Sequence, residues 1–353
     1  MKKIMAILLL FLPVVGFCDN FNEYLLYTNK AETFLIQDNY KRAQICYDIA
    51  FHSWNKPFAI DIFNSLKCAN LNRDYPKVKS LAVRLISLGC ELSFFDDPDY
   101  LTGFRTSKEW RSLINEYPNI REKYIRNNSW KLRGQIEQIQ AKDQFLRRQN
   151  PNYTFLRDSI YKEDDTIKIE LLQLFKHKFP NEYNYGVFLK DDTTLMDYEP
   201  LHIILLHNYG KFDTSQVHNA NMHTYDFTQI LMDAVKKGDM HPEEFALLND
   251  RSGEFMTCGG YGQMSLLTKI KGKLYYDNYA QKANDKFEKN RKEIGLCTQQ
   301  EGREKLIYDK KKNINKFILR KSTFGIVFWG DDMFSEKMIR NLFIDTGVTI
   351  DKL

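Results

Sequence analysis

The feature that most limits the fold is a pair of small-residue stripes near the start of the chain. Tyr27, Ala31 and Phe34 recur at helical spacing and stop at the turn-forming run Gln37-Asp38-Asn39. Tyr40, Ala43, Tyr47 and Ala50 then set out a second stripe of the same period. Alanine at 31, 43 and 50 lets two antiparallel helices approach closely, while the aromatic rings fill the gaps between them. A weaker copy lies about 35 residues on, at Leu66, Ala69, Tyr75, Val78 and Ala82.

This spacing resembles the tetratricopeptide repeat, and the resemblance implies helical hairpins offering a groove to a protein or peptide partner. Two units are fewer than the roughly three that a free-standing array needs, so they are expected to dock against the remainder of the chain. Residues 91–127 read as a closing segment. Asp96-Asp97-Pro98-Asp99 marks a turn, and Leu101, Phe104, Trp110, Leu113 and Tyr117 supply one or two short helices ending before Pro118.

Ahead of the hairpins, Lys2 and Lys3 precede an apolar run from Ile4 to Val15, with Gly16 and Cys18 as small residues before Asp19. Residues 1–18 therefore read as a secretory signal peptide, which makes the protein exported, periplasmic or cell-surface. The run is shorter than the ~20 residues that span a bilayer, and no transmembrane span is expected in the mature chain. Lipid anchoring at Cys18 is disfavoured by the bulky Phe17 before it. Cys46, Cys68, Cys90, Cys258 and Cys297 then remain, an odd and scattered set that is no disulfide framework and holds no C-x-x-C pair.

The 353 residues suffice for about two domains, and 43% hydrophobic residues can supply their cores. A net charge of +5 without a dense basic block points away from nucleic acid. Beyond residue 127 the helical signal continues. Leu132, Ile136, Ile139, Phe145 and Leu146 outline one face; a loop at Asn150-Pro151-Asn152 comes next; a second helix is expected from about Thr166 to Phe179, before Pro180. The apolar run at 201–207 reads as helix, because its neighbours are helical, with a buried strand as the alternative. Tyr225 to Lys237, closed by Gly238, and a helix opened by Pro242 form a hairpin. Short strands are expected at 272–276 and 324–329, and a helix from about Ala280 to Ile294, ended by Gly295.

Three ionic features stand out against this pattern. Asp143 falls in the stripe 132, 136, 139, 143, 146, with Arg147 one turn on. Arg291 falls in the stripe Ala283, Phe287, Arg291, Ile294. Asn249-Asp250-Arg251 closes the hairpin shortly before Tyr261-Gly262-Gln263. A buried charge needs a partner, so Asp143 is either a structural ion-pair node or a ligand group, and Arg291 either a structural link or an anion clamp. His207 is a candidate base, ligand contact or core histidine. His202/His207 and His218/His223 are each five apart, which misses the spacing that puts two metal ligands on one helical face. No metal or other cofactor is expected, and no nucleophile elbow or phosphate loop is present.

Taken in order, Asp143-Gln144 with Arg147, His207, Asp250-Arg251, Tyr261-Gly262 and Arg291 with Gly295-Leu296 resemble an uncharacterised bacterial domain family over about residues 130–310. The resemblance supplies candidates and no reaction.

The expected fold is mainly α, with tetratricopeptide-like hairpins followed by a helix-rich domain with a few short strands. The expected divisions are 19–127, 128–310 and a C-terminal extension, 311–353. The expected function is binding or scaffolding, with Arg147, Arg251, Tyr261, Gln263 and Arg291 lining a polar pocket for a small anion. Two alternatives stay open: a hydrolase-like enzyme using His207, Asp143 or Asp250 with Arg251 or Arg291, and a purely structural cluster.

Overall fold

A computed structural model describes residues 20–96, 98–149, 156–190, 194–195, 200–210, 225–252, 260–263, 266–277, 284–311, 313–320, 325–328 and 335–349. The signal segment, the 150–152 loop, His218, His223, Cys258 and Ala283 lie outside them. Fifteen helices dominate the described residues, joined by two small sheets.

Helices α1 (Phe21–Ile36) and α2 (Tyr40–Ser53) pack as the first hairpin, α3 (Ala59–Leu71) and α4 (Tyr75–Ser87) as the second. Asn20, Asn39 and Asp74 cap the starts of α1, α2 and α4 by accepting a backbone N–H. Ala31, Ala43 and Ala50 are fully buried, as close helix approach demands. A 3-10 turn (Leu92–Phe95), α5 (Pro98–Arg105) and α6 (Lys108–Asn127) close this unit. Contrary to expectation, α6 runs straight through Pro118. Ile114 and Pro118 are both exposed, so the carbonyl that loses its amide partner faces water.

The second unit is built on α7 (Trp130–Gln149), α8 (Arg157–Phe175), the short α9 (Glu182–Tyr185), α10 (Pro200–Asn208), α11 (Thr228–Lys236) and α12 (Pro242–Ser252). Its core joins Ile136, Ile139, Ile167, Leu171, Leu205, Phe227 and Phe245. Two expectations need correcting. Phe145 is 62% exposed, because helical phase carries it away from the inward side that Asp143 occupies. Helix α8 starts well before Thr166, because Asp164 continues the buried stripe of Ile160, Ile167 and Leu171.

Strands β1 (Leu189–Lys190) and β2 (Thr194–Leu195) make a two-stranded sheet. The hairpin of β3 (Leu266–Ile270) and β4 (Lys273–Asp277) sits inside a four-stranded sheet, flanked by β5 (Gly325–Phe328), parallel to β3, and β6 (Phe343–Thr349), antiparallel to β4. One sheet therefore crosses the 310/311 division. Helices α13 (Asn284–Glu293) and α14 (Gln299–Lys311) connect the hairpin to the last segment, and α15 (Glu336–Leu342) precedes β6.

The first unit is tied to the later part of the chain through charge. Lys305 on α14 and Glu32 on α1 are buried and 2.6 Å apart. Arg320 reaches Asp61 of α3 at 3.2 Å, and Tyr24 donates to the same carboxylate. Gly295 ends α13 with φ +79°, and a Cβ there would strike Leu25 of α1, so glycine permits both the left-handed cap and the helix contact.

Candidate functional site

Asp143 is fully buried on α7, where its carboxylate collects side chains from two helices. His207 Nδ1 lies 2.8 Å from Oδ2, and the Gln144 amide donates to the same oxygen at 2.7 Å. Arg147 pairs with Oδ1 at 3.1 Å, and Asn208 donates to it at 3.5 Å. The Arg147 guanidinium also donates to the Asp143 carbonyl at 2.8 Å and to both oxygens of Asp164 at 2.8 Å. Burial pushes the Asp164 carboxyl up, and Arg147 pulls it back.

This arrangement fixes an imidazole. His207 keeps a quarter of its side chain exposed while its anchor is fully enclosed. Among the described residues its Nε2 has no hydrogen-bond partner, so the ring is held by one nitrogen and presents the other. A carboxylate on Nδ1 selects the tautomer and the ring orientation, as an acid–base group or a ligand contact requires.

Asp250 and Arg291 form a second cluster, around the Tyr261-Gly262-Gln263 loop. The Asp250 carboxylate accepts the N–H of Tyr261 at 3.0 Å and of Gln263 at 2.6 Å. Burial raises its pKa, and those two N–H groups work against the rise. Arg291 donates to the Tyr261 carbonyl at 2.8 Å and to the Cys297 carbonyl at 2.7 Å. Gly262 has φ +68°, and a Cβ there would run into the Gln299 amide. The loop is clamped on both sides by these two charged side chains, which hold it by its backbone.

The candidates thus divide into two neighbouring groups joined by α10. His207 and Asn208 face Asp143, while the next residue, Tyr209, donates to Asn249 at 3.4 Å, beside Asp250. Arg251 is exposed at the end of α12. Arg147 and Arg291, expected to hold an anion, spend their N–H groups on carboxylates and carbonyls. Asp164 and Asn208 are the members of this cluster that the sequence reading missed, and Asn208 carries no signal by the criteria that mark Asp143. The stripe 160, 164, 167, 171 nevertheless carries the same signal for Asp164 as the α7 stripe carries for Asp143. Among the described residues no group of three or more His, Cys, Asp or Glu side chains is placed to hold a metal ion.

His202, on the same helix, is 2% exposed, and burial, helped by the charge of Arg251, pushes its pKa down to about 3. The folded chain keeps this imidazole neutral, whereas the unfolded chain takes up a proton below about pH 6.5. Acid therefore favours unfolding between about pH 6.5 and 3. From pH 7 to pH 4 the wild type is expected to lose more stability than His202→Gln in urea titrations. Equal losses would assign the acid sensitivity elsewhere.

No protein-family model, curated protein or solved structure matches this chain.

Proposed function

We propose that the protein is an exported helical binding protein whose recognition site is centred on His207. The observation that carries this reading is the pairing of a buried, multiply braced Asp143 with a partly exposed imidazole. A purely structural ion pair needs no histidine at the surface, and Arg147 already pairs with both Asp143 and Asp164. With Arg147 and Arg291 engaged internally, a ligand that hydrogen-bonds to an imidazole fits better than one held by a clamp of those two arginines.

The same dyad favours a second reading, acid–base catalysis of a hydrolytic reaction, in which Asp143 orients His207 and Nε2 handles the proton. A thermal-shift screen of metabolites on the mature chain, repeated on His207→Ala, tests binding. The expected result is a ligand whose stabilisation disappears in the variant. A ligand that stabilises both chains equally removes His207 from the site. Chromogenic ester, amide and phosphoester substrates test the second reading, with turnover expected to be lost in Asp143→Asn as well as His207→Ala. Turnover surviving both changes would exclude the dyad as its source.

A further inference from the structure

The groove of the N-terminal hairpins is filled by the chain's own residues 315–320. Asn64 of α3 recognises this segment by backbone alone: its carboxamide accepts the Ile318 N–H at 3.0 Å and donates to the Ile318 carbonyl at 2.7 Å. Lys67, one turn on, donates to the Asn315 carbonyl at 2.9 Å and to that of Lys316. Phe317 and Leu319 are buried in a cluster with Ala31, Leu35, Ala43 and Tyr47, while Ile318 between them is half-buried. Phe317 and Leu319 join one core and Ile318 packs against another, so successive side chains of the segment are read on opposite sides.

The segment ends in a guanidinium site. Arg320 meets Asp61 at 3.2 Å, its guanidinium carbon stands 5.5 Å over the Phe58 ring, and its own N–H reaches Glu32 at 3.3 Å. The Asp61 carboxylate and the Phe58 face select a planar cation over an ammonium, while Glu32 takes the backbone N–H of residue 320.

We propose that helices α1–α3 form a peptide-recognition surface for an extended Phe-x-Leu-Arg segment, held in cis here, and that a partner protein carrying such a segment competes for it. Main-chain bonds through Asn64 and Lys67 are indifferent to whose segment is bound. The two apolar side chains and the terminal cation supply the selectivity.

A fluorescein-labelled peptide of residues 313–320, titrated into the mature chain by anisotropy, tests the proposal. Wild type is expected to bind weakly. A variant with a loosened strap, Phe317→Ala/Arg320→Ala, is expected to bind roughly ten-fold or more tightly by comparison, since the cis competitor is lost. Adding Asn64→Ala to that variant should weaken binding again by roughly ten-fold. A peptide ending in Glu in place of Arg should not bind. Equal affinity for wild type and the loosened variant, or indifference to Asn64→Ala or to the charge change, overturns the proposal.

Hydrogen exchange at the Ile318 amide of wild type gives an independent reading that needs no variant. Excess peptide should accelerate its exchange, and unchanged protection at saturating peptide overturns competition. A concentration-dependent dimer whose Ile318 protection falls on dilution would assign the groove to a second copy and overturn the partner reading.

Discussion

Replacing Lys305 with Met is expected to cost about 3–5 kcal/mol, because it leaves Glu32 buried without its cation. Burial already pushes the Glu32 carboxyl up, and the Lys305 charge is the first influence that holds it down. Without Lys305 the folded chain binds a proton at Glu32 more tightly than the unfolded chain does, so stability falls as pH rises beyond the ordinary carboxylate range. The loss measured by urea titration should therefore be smaller at pH 5 than at pH 8. Glu32→Leu added to Lys305→Met should restore most of the stability, since an apolar pair of similar volume removes the stranded charge. A single variant as stable as wild type would show that the pair contributes nothing to joining α14 to α1.

Arg291→Met is expected to cost about 2–5 kcal/mol by orphaning two buried carbonyls, those of Tyr261 and Cys297. Lysine should rescue little, because one ammonium cannot reproduce a fork that reaches both oxygens. The loss should appear in thermal melts together with a changed near-ultraviolet signal, since Tyr261 packs edge-on against Phe245 at 5.7 Å. If Arg291→Met melts like wild type while losing a ligand, Arg291 belongs to a binding site and its clamp on the backbone is secondary.

What the sequence made legible was whatever repeats locally. Ala31, Ala43 and Ala50 announce a close helix pair because spacing and size act together. Gly238 and Pro242 bracket the turn between α11 and α12 through rules that need only neighbouring residues. Asp143 and Arg291 were visible because a charge in an apolar stripe contradicts its surroundings. Arg147, one turn on, was legible as a partner of Asp143, but the partners on other elements were not: Asp143 also meets His207, Arg147 bridges it to Asp164, and Arg291 meets the backbone at 261 and 297. The start of α8 was hidden by the acidic run around Asp164, which looks like solvent-facing chain until Arg147 is placed beside it. Phe145 misled in the opposite sense, being an aromatic residue on a polar face. The filled groove was least legible, because Phe317, Leu319 and Arg320 carry no local pattern that names Asn64 or Asp61.

The bond between Asn64 and Ile318 joins residues 254 positions apart. A ribosome delivers the first hairpins long before it delivers their strap. During that interval Ala31, Leu35, Ala43 and Tyr47 lack the Phe317 and Leu319 that finally cover them. The amino-terminal unit thus ripens only when the far end of the chain emerges, and the nascent protein carries an uncovered apolar trough through most of its synthesis. Molecular chaperones that shield apolar surface would find their longest-lived target there, and a chain truncated before residue 315 would keep that trough open permanently.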